Sequence, residues 1–515
     1  MKQLNLQSVN IKSELVQFQY QRNLPVKIVQ FGEGNFLRGF VDWMVHEMNK
    51  QGLFNGKIVA IQPTPHGKVV PKLDVQDGLY TLVQQGIDEG EIVEHFEVIS
   101  SIDKWVNPYE SWNEVLQYAE SEDIEFVFSN TTEAGLTYYY EPFTPEQSVL
   151  SFPGKLTAFL YHRFQAFNGD KNKGVTVIPC ELIENNGEVL KRLVLKISDD
   201  WALPNDFKQW ISNDNNFCNT LVDRIIPGYP KDTINAFQEK IGYRDELLVV
   251  GEPYHLFAIE ATEEIAEKLP FHKAGLNVRW GDITPYRNLK VNILNAPHTM
   301  MFSIGYLSGL NTVYETMKDE TLYNFIYQSI HHEILPTIDF DEKTLQKFTS
   351  SILDRFKNPF VKHYLSDLGL NAVSKFKARV LPILMKSIKE NNRIPQNIAF
   401  SFAALIVYYQ STKIVDAEHL LCRRSDGEEY KVRDSKEAIA TFYMAWSKYD
   451  GTSQSIHEMI SCILENELLW DENLNDVERL TETIANYTEK IIANGVGKAM
   501  GELFRGNRHV NSINF

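Results

Sequence analysis

Cysteine is scarce in this sequence, which holds only four in 515 residues: Cys180, Cys218, Cys422 and Cys462. No two of them have the C-x-x-C spacing of a redox motif or a zinc site, and four are too few for a disulfide framework in so long a chain. We therefore expect reduced thiols and a cytoplasmic location.

Long apolar runs are missing as well. The N-terminal segment MKQLNLQSVNIKSELVQ lacks the apolar core of a signal peptide. The most apolar stretch, IAFSFAALIVYY at 398–409, is shorter than the roughly 20 residues that cross a bilayer. The segment HHE at 331–333 does not have the H-E-x-x-H spacing of a zinc enzyme. We expect no membrane partner and no catalytic metal.

Positive charge is in the minority, since 51 lysines and arginines stand against 68 acidic residues and give a formal net charge of -17. An acidic surface repels nucleic acid and anionic lipid, so neither is an expected partner. A local basic pocket can still bind a small anion. The composition, 43% hydrophobic, is that of a globular chain, and its length predicts about two to four domains.

The remaining pattern divides the chain near RWGDITPYRN (279–288). Residues 1–285 alternate strand-like and helix-like runs, which predicts an α/β Rossmann-like domain with a doubly wound parallel sheet. Residues 286–515 show helical periodicity, which predicts a mostly α-helical domain. The predicted elements of the first part are strands at 26–31, 57–63 and 174–183, a strand that runs into a polar loop at 124–135, a strand pair at 79–86 and 91–102, and a helix at 35–52.

Two glycines, Gly32 and Gly34, lie between the first strand and the first helix in KIVQFGEGNFLRGF (27–40). In a dinucleotide-binding turn, the first glycine permits the tight turn, and the second lets the backbone approach the pyrophosphate. The third glycine of G-x-G-x-x-G is replaced by Leu37. From this pattern alone, a phosphate-binding turn and an ordinary tight turn both remain open.

The end of the second strand offers Gln62, where NAD-binding folds commonly place Asp or Glu on the ribose hydroxyls. A neutral amide can bond a hydroxyl but does not repel a 2′-phosphate. His66 and Lys68 follow shortly after. The choice between NAD and NADP therefore stays open from these residues alone.

The segment NLKVNILNAPHTMM (288–301) holds Lys290, Asn295 and His298. Reduction of a ketone by hydride needs a general acid, a donor to the oxyanion and a group that orients the substrate. A desolvated lysine, an asparagine amide and a histidine can perform these tasks. The alternatives are a solvated lysine, an asparagine that caps a helix before Pro297, and a core histidine.

These motifs together resemble the mannitol dehydrogenase family of polyol-specific long-chain dehydrogenases. The K-x4-N-x2-H motif of that family is present with its full spacing. The positions that match its G-x-G-x-F-x-R turn are Gly32, Gly34, Phe36 and Arg38. The segments VDRIIPG (222–228), FSNTTEAG (128–135) and RFKNPF (355–360) also resemble family segments, so the resemblance runs over nearly the whole chain.

The resemblance implies an NAD-dependent, metal-independent oxidoreductase, with a phosphate-binding role for the glycine turn. The implied cofactor-binding residues are Phe31, Gly32, Glu33, Gly34, Asn35, Phe36, Gln62, Thr132 and Glu133.

The resemblance also implies catalytic roles. Lys290 is the implied general acid and base, Asn295 the oxyanion donor, and His298 the ligand of substrate hydroxyls. A second asparagine donor is expected from the first domain, and Asn186 in IENNG is the residue predicted for it. Asp223 is predicted to lie near the substrate as a partner of Lys290, or else to serve in a salt bridge with Arg224 or as a helix cap.

Within the family, QFGEGNFLRGFVDW, PCELIENNG and NPFVKHYLSDLGLNAVSKFKARVLP are most similar to members that act on a keto-uronate. Leu37 stands where mannitol and fructuronate enzymes usually have histidine. The implied reaction is the reversible reduction of D-tagaturonate to D-altronate in hexuronate catabolism. The alternatives are mannitol 2-dehydrogenase or fructuronate reductase activity, and a nucleotide sensor without catalysis, against which the intact lysine motif argues.

A keto-uronate carries a carboxylate, which needs a cationic partner in the substrate site. The predicted partners are Lys375, Lys377 and Arg379 in SKFKARVLP, with Arg38 as a further possibility. Lys375 and Arg379 share one face at helical spacing, which suits a solvated helix face equally well.

Overall fold

The computed structural model of the protein describes residues 1–9, 15–21 and 23–511. The chain divides into two compact units, Met1–Tyr286 and Arg287–Phe515. None of the helices in the described ranges combines the length and the apolarity that a membrane span requires.

Unit 1 alternates strands and helices along the chain. Its strands are β1 (Val16–Phe18), β2 (Val26–Phe31), β3 (Lys57–Ile61), β4 (Tyr80–Asp88), β5 (Glu91–Ile99), β6 (Ile102–Val106), β7 (Phe126–Ser129), β8 (Thr176–Pro179), β9 (Asn216–Phe217), β10 (Thr220–Asp223), β11 (Val249–Gly251), β12 (Leu256–Ile259) and β13 (Val278–Trp280). Its helices are α1 (Asn35–Arg38), α2 (Val41–Lys50), α3 (Val70–Val75), α4 (Trp112–Ala119), α5 (Phe152–Ala166), α6 (Asn186–Asp200), α7 (Asn205–Asn213), α8 (Ile234–Ile241) and α9 (Glu263–Lys268).

The central sheet of unit 1 confirms the predicted Rossmann-like fold. It has six parallel strands in the order β6-β3-β2-β7-β8-β9. This is the 3-2-1-4-5-6 order of dinucleotide-binding folds, in which ligands bind beyond the carboxyl ends of the strands where the order reverses. That point lies between β2 and β7, where Phe31 pairs with Ser129.

The central sheet is covered on both faces, which is why its inner strands β3, β7 and β8 are largely apolar and buried. Successive side chains of a strand point to opposite faces, so Ile28 and Val29 belong to two different core clusters. The predicted strand pair at 79–86 and 91–102 forms the antiparallel pair β4 and β5. These two strands belong to a separate four-stranded sheet, β1-β5-β4-β11, and a third sheet has the order β10-β12-β13.

Unit 2 is mostly helical, as predicted. From the unit boundary onward the α-helices are α10 (Thr284–Leu289), α11 (Ala296–Leu307), α12 (Val313–Lys318), α13 (Glu320–Gln328), α14 (Glu342–Phe356), α15 (Leu365–Leu368), α16 (Ala372–Arg379), α17 (Leu381–Asn391), α18 (Gln396–Tyr408), α19 (Lys436–Ser447), α20 (Ser453–Leu464), α21 (Glu467–Trp470), α22 (Leu480–Asn494) and α23 (Val496–Asn511). Two π-helices, Lys290–Asn295 and Ser329–Ile334, complete the main helical segments.

A small antiparallel sheet in unit 2 was not predicted. It consists of β14 (Ser411–Asp416), β15 (His419–Arg423) and β16 (Glu429–Arg433) in that order. Leu420 and Cys422 alternate with more exposed neighbours, as do Tyr430 and Val432. This period of two, with Asp426-Gly427 between the strands, is typical of a β-hairpin. The prediction of a mostly helical domain did not take it into account.

Candidate active site

Gly32 is required by the local backbone of unit 1. Its φ is +125°, and a Cβ atom there would lie 3.0 Å from Leu37 Cδ1 and 3.2 Å from the carbonyl oxygen of Asn130. Its N–H donates to the carbonyl oxygen of Ile61 over 2.9 Å. The segment after β2, the end of β3 and the segment after β7 therefore meet at this glycine. The side chain of Leu37 fills the space beside it.

Gly34 is different, because nothing in the fold requires a glycine there. Its φ is -69°, and a Cβ atom would meet no other atom within 4 Å. The residue is exposed at the carboxyl end of the parallel sheet. A backbone kept bare without a folding reason fits the close approach of a dinucleotide pyrophosphate.

We predict that Gly34→Ala weakens NADH binding by about tenfold, since a methyl group would stand where the pyrophosphate approaches. The thermal midpoint of unfolding should stay within about 2 °C of the wild type, because the methyl group meets no neighbour. Fluorescence titration with NADH and a melting curve measure the two effects. Gly497→Ala, at another open glycine, is the matched control. An unchanged NADH dissociation constant for Gly34→Ala would place the pyrophosphate elsewhere.

The predicted helix at 35–52 is interrupted after its first turn. α1 ends at Arg38, and α2 begins at Val41 after Gly39 and Phe40. The break lies at Phe40, whose φ of -129° and ψ of -83° are not helical. Gly39 beside it is closely packed, since a Cβ atom there would lie 3.0 Å from Ile226 Cδ1 and 3.1 Å from Val249 Cγ1.

The side chain of Arg38 holds the glycine turn through hydrogen bonds. Its Nε donates to the carbonyl oxygen of Glu33 over 3.1 Å and its Nη2 to Asn35 Oδ1 over 2.7 Å. Its Nη1 donates to the carbonyl oxygen of Leu247, and the buried guanidinium lies over the ring of Tyr80. This geometry fits a residue that holds the turn in shape, and it does not fit the predicted contact with a substrate carboxylate.

Glu33 lies between the two glycines and is buried. Its Oε2 has no hydrogen-bond partner within the described ranges. Burial raises the pKa of this carboxyl to about 7, while its own backbone N–H and Arg38 act in the opposite direction. The side chain is therefore partly protonated near neutral pH, which reduces its repulsion of a nearby phosphate.

The loop after β7 carries backbone strain at Thr132, whose φ is +71°. Positive φ in a β-branched residue is rare and concentrates at functional sites. Buried Glu181 holds the loop, since its Oε1 accepts from the N–H of Thr131 over 2.9 Å and its Oε2 from Ser129 Oγ over 3.0 Å. Glu133 begins a 3-10 helix that runs to Leu136. The predicted cofactor loop thus lies beside the glycine turn.

Gln62, at the carboxyl end of β3, is buried. Its Nε2 donates to the carbonyl oxygen of Thr64 over 2.7 Å. A Cβ atom on Gly67 would lie only 2.3 Å from Gln62 Cδ, so the loop packs closely on this amide. The residue stands at the end of β3 where an adenosine ribose is usually recognised.

Asn186 has a structural task. It is fully buried, and its Nδ2 donates to the carbonyl oxygens of Pro179 and Glu181 and to Thr220 Oγ1 over 2.9 to 3.1 Å. Its Oδ1 accepts from the N–H groups of Gly187 and Thr220. An amide saturated in this way does not fit the predicted role of oxyanion donor.

Asp223 is the last residue of β10 and is buried. Because no helix begins there, Asp223 is not a helix cap, which was one of its predicted roles. Arg224 does not turn toward it: its Nε donates to the carbonyl oxygen of Glu252 and its Nη1 to that of Gly39. Burial lowers the pKa of Arg224 to about 9, and the carboxylates that oppose this are Glu252 and Glu47. The proximity of Asp223 to the substrate stays a prediction.

In unit 2, the residues of the lysine motif lie on a π-helix that continues into α11. The π-helix spans Lys290–Asn295, and Pro297 follows near the start of α11. Proline lacks an N–H and its ring clashes with the carbonyl of the residue four positions earlier, here Ile293. The wider turn before it avoids that clash, and such π segments are frequent at functional sites.

The π-helix explains the spacing of the motif. In an α-helix, residues five apart point about 140° away from each other. The i→i+5 hydrogen bonds of a π-helix bring residues five apart to the same side, so Lys290 lies in line with Asn295. Asn295 and His298 are three apart at the start of α11 and also share a face. By this periodicity, the three functional groups are expected on the same side of the helix.

Asn295 does not cap the helix. Its backbone is helical, with φ of -77° and ψ of -37°, and its side chain makes no capping hydrogen bond to α11. Its carbonyl oxygen accepts from Thr299 Oγ1 over 2.9 Å. The side-chain amide of Asn295 therefore does not form the helix cap that was the alternative prediction for this residue.

His298 is only 8% exposed, and its ring lies 4.4 Å from that of Phe356 and 4.8 Å from that of His363, centroid to centroid. Its Nε2 has no hydrogen-bond partner in the part of the chain that the structure describes. Burial lowers the pKa of His298 well below its usual value, and His363, Arg355, Arg379 and Lys375 lower it further. A buried imidazole with one nitrogen unused and cationic side chains nearby fits a site for a polar, anionic ligand.

The three predicted cations of α16 differ in their surroundings. Lys377 pairs with Asp471 over 2.6 Å at the surface, with side-chain exposures of 29% and 76%, so it does not fit the carboxylate role. Lys375 Nζ donates to the carbonyl oxygens of Asp367 and Leu368 over 3.3 and 3.1 Å. Arg379 is half-buried, its Nη1 lies 3.5 Å from Thr299 Oγ1, and burial lowers its pKa.

Sequence reasoning missed three residues: Glu181, which holds the β7 loop of unit 1, and Arg355 and His363 near His298 in unit 2. Arg355 lies in the family-like segment RFKNPF, and Glu181 in PCELI, so both were within reach of a reading of those segments. His363 lies in the family-like segment NPFVKHYLSDLGLNAVSKFKARVLP, but no spacing in that segment singles it out. Within the described ranges, no group of three or more His, Cys, Asp or Glu side chains is arranged to hold a metal ion.

Comparison with known proteins decides the family. The model of the mannitol dehydrogenase Rossmann domain matches residues 26–273, and that of the mannitol dehydrogenase C-terminal domain matches residues 282–492. The chain belongs to the mannitol dehydrogenase family. Within this family, the altronate oxidoreductase of Halalkalibacterium halodurans is 46% identical over 490 residues, which is 95% of each chain.

Other relatives agree. The altronate oxidoreductase of Bacillus subtilis is 40% identical over 94% of this chain and 96% of its own, and that of Escherichia coli O1:K1 is 38% identical over 93% and 97%. Among solved structures, a D-sorbitol dehydrogenase superposes with a TM-score of 0.79 at 22% identity, over 96% of this chain and all of the other. Pseudomonas fluorescens mannitol 2-dehydrogenase, in complex with NAD and D-mannitol, gives 0.65 at 19% identity over 98% and 99%. These two structures support the fold of a family member.

Proposed function

We propose that this protein is an NAD-dependent tagaturonate reductase, which interconverts D-tagaturonate and D-altronate in hexuronate catabolism. The observation that carries the proposal is the helical segment of unit 2 that holds Lys290, Asn295 and His298, together with the cationic side chains near His298. The names of the relatives supply the substrate, since altronate oxidoreductases match nearly the full chain at up to 46% identity.

The glycine turn and the β7 loop of unit 1 are the proposed cofactor site. The bare backbone at Gly34, the strained loop at Thr132 and the position of both at the strand-order reversal support it. Asn35, Phe36 and the amide of Gln62 complete the proposed contacts. When bound, NADH supplies a hydride to the carbonyl carbon of the substrate.

The side chains of unit 2 perform the proposed acid–base work. Lys290 Nζ gives a proton to the carbonyl oxygen as the hydride arrives, and in the reverse direction it accepts the hydroxyl proton. Asn295 Nδ2 donates to the same oxygen while it carries negative charge. The unused Nε2 of His298 binds a substrate hydroxyl. We propose that Arg379, with Lys375, binds the substrate carboxylate.

A substrate panel tests this function. Oxidation of NADH is followed with D-tagaturonate, D-fructuronate and D-fructose at equal concentrations, and NADPH is compared in the same assay. We expect the highest kcat/KM with D-tagaturonate and NADH. A higher value with fructuronate or fructose would assign a sister activity of the family. No oxidation with any of the three would overturn the proposal in favour of nucleotide binding without catalysis.

A further inference from the structure

His363 has a fixed place against the catalytic histidine, although no motif singles it out. It lies in the segment between α14 and α15, and its ring meets that of His298 at 77° with 4.8 Å between the centroids. Its N–H donates to the carbonyl oxygen of Val361, and its own carbonyl oxygen accepts from the N–H of Val313 over 2.9 Å. The backbone on both sides therefore holds the imidazole in position.

The charged groups near this pair of imidazoles come from three helices. Arg355 lies on α14, Lys375 and Arg379 lie on α16, and Asp367 lies on α15. Three of these groups are cations, and the one carboxylate is exposed at the edge. Burial lowers the pKa of His363 from its usual 6.5, Asp367 opposes this, and Arg355 and Lys375 reinforce it. The imidazole is thus neutral near pH 7 until negative charge arrives.

We propose that His363 is a specificity-determining residue of this site, whose imidazole gains a proton as the substrate carboxylate binds and so completes an anion subsite with Lys375 and Arg379. The inference rests on the proposed function for the class of substrate. It goes beyond that function because it assigns a new residue and couples sugar-acid binding to proton uptake.

Charge balance supports the proposal. A carboxylate that enters next to a neutral imidazole favours the imidazolium form, since an opposite charge at contact distance raises the pKa of the histidine. Binding of the anion then takes up one proton from solution. A neutral polyol brings no charge, so its binding leaves His363 in its neutral state.

The coupling has a defined sign. Above the pKa of His363 in the free protein, which lies below 6.5, the affinity for a sugar acid should fall as the pH rises. The slope reaches at most about tenfold per pH unit, the limit for uptake of one proton. The affinity for a neutral polyol should not change through this histidine.

The experiment uses a dead-end complex of the full protein with NADH, which cannot react with D-altronate because both are reduced. Isothermal titration with D-altronate at pH 7, in two buffers of different ionisation enthalpy, counts the protons taken up. D-mannitol is the neutral comparison ligand. We expect uptake of up to one proton with D-altronate, close to none with D-mannitol, and none with either ligand in His363→Gln. His457→Gln on α20 is the matched control and should behave as the wild type.

Two results would overturn the proposal: D-altronate binding by the wild type without proton uptake, or uptake that persists in a folded His363→Gln variant. If that variant does not fold, the pH series of the wild type still decides, since equal slopes for D-altronate and D-mannitol exclude the coupling. A failure of this proposal can be distinguished from a failure of the proposed function. Tagaturonate reduction with pH-independent altronate binding refutes only the role of His363, whereas coupled altronate binding without reductase activity refutes only the enzymatic assignment.

Discussion

Alanine in place of Lys290 should lower kcat for tagaturonate reduction by a factor of about 100 or more, the usual contribution of a positioned general acid. The reason is that Lys290 is the proposed proton donor and shares the π-helix with Asn295, the proposed donor to the oxyanion. Stopped-flow and steady-state measurements of NADH oxidation give kcat and KM, and fluorescence titration gives the NADH dissociation constant. We expect NADH binding to be retained, because the proposed cofactor site belongs to unit 1.

The control for this variant is Lys389→Ala, which removes an exposed lysine of α17. It should keep wild-type turnover. A small primary amine added to the Lys290→Ala protein should restore part of the lost rate, since it can supply the missing proton in the space left by the side chain. Turnover of Lys290→Ala within about tenfold of the wild type would remove Lys290 from the role of general acid.

The inner strands of the central sheet, β2, β3, β7 and β8, were predictable because burial on both faces leaves a largely apolar run, whereas the edge strands β6 and β9 were not predicted. VKIVQF was predicted as a strand at 26–31, and β2 has these bounds. The glycine pattern, in contrast, could not separate its two possible meanings. Only the packing shows that Gly32 is held by Leu37 and the Asn130 carbonyl, while Gly34 faces open space.

Asn186 shows why side-chain roles are harder to predict. The family resemblance implied an asparagine donor from the first domain, and Asn186 in IENNG was the residue predicted for it. Whether the amide faces a substrate depends on partners far away in sequence, and here Thr220 and Pro179 take its hydrogen bonds. The same limit applies to His363, which only tertiary packing brings to His298. The small sheet of unit 2 was missed for another reason, since the surrounding helices outweighed three short strands.

Loss of the Arg379 charge should reduce the preference for an acidic substrate. In Arg379→Met, kcat/KM for D-tagaturonate relative to D-fructose should fall by about 10- to 100-fold, the value of one buried charge-assisted contact of about 1.5–3 kcal/mol. Of the three predicted cations, Arg379 is the best candidate for binding the carboxylate, because its half-buried guanidinium can bind both carboxylate oxygens at once. Steady-state assays with both ketoses measure the ratio.

The helix α16 supplies its own internal controls for this experiment. Lys377→Met breaks only a surface pair with Asp471, and exposed pairs contribute little, so the ratio should stay within about twofold of the wild type. Lys375→Met should give an intermediate loss, because Lys375 Nζ already donates to two backbone carbonyl oxygens. The overall charge of -17 repels an anionic substrate equally in all three variants, so any difference among them reports the local contact. If the ratio of kcat/KM in all three variants equals that of the wild type, α16 does not bind the carboxylate.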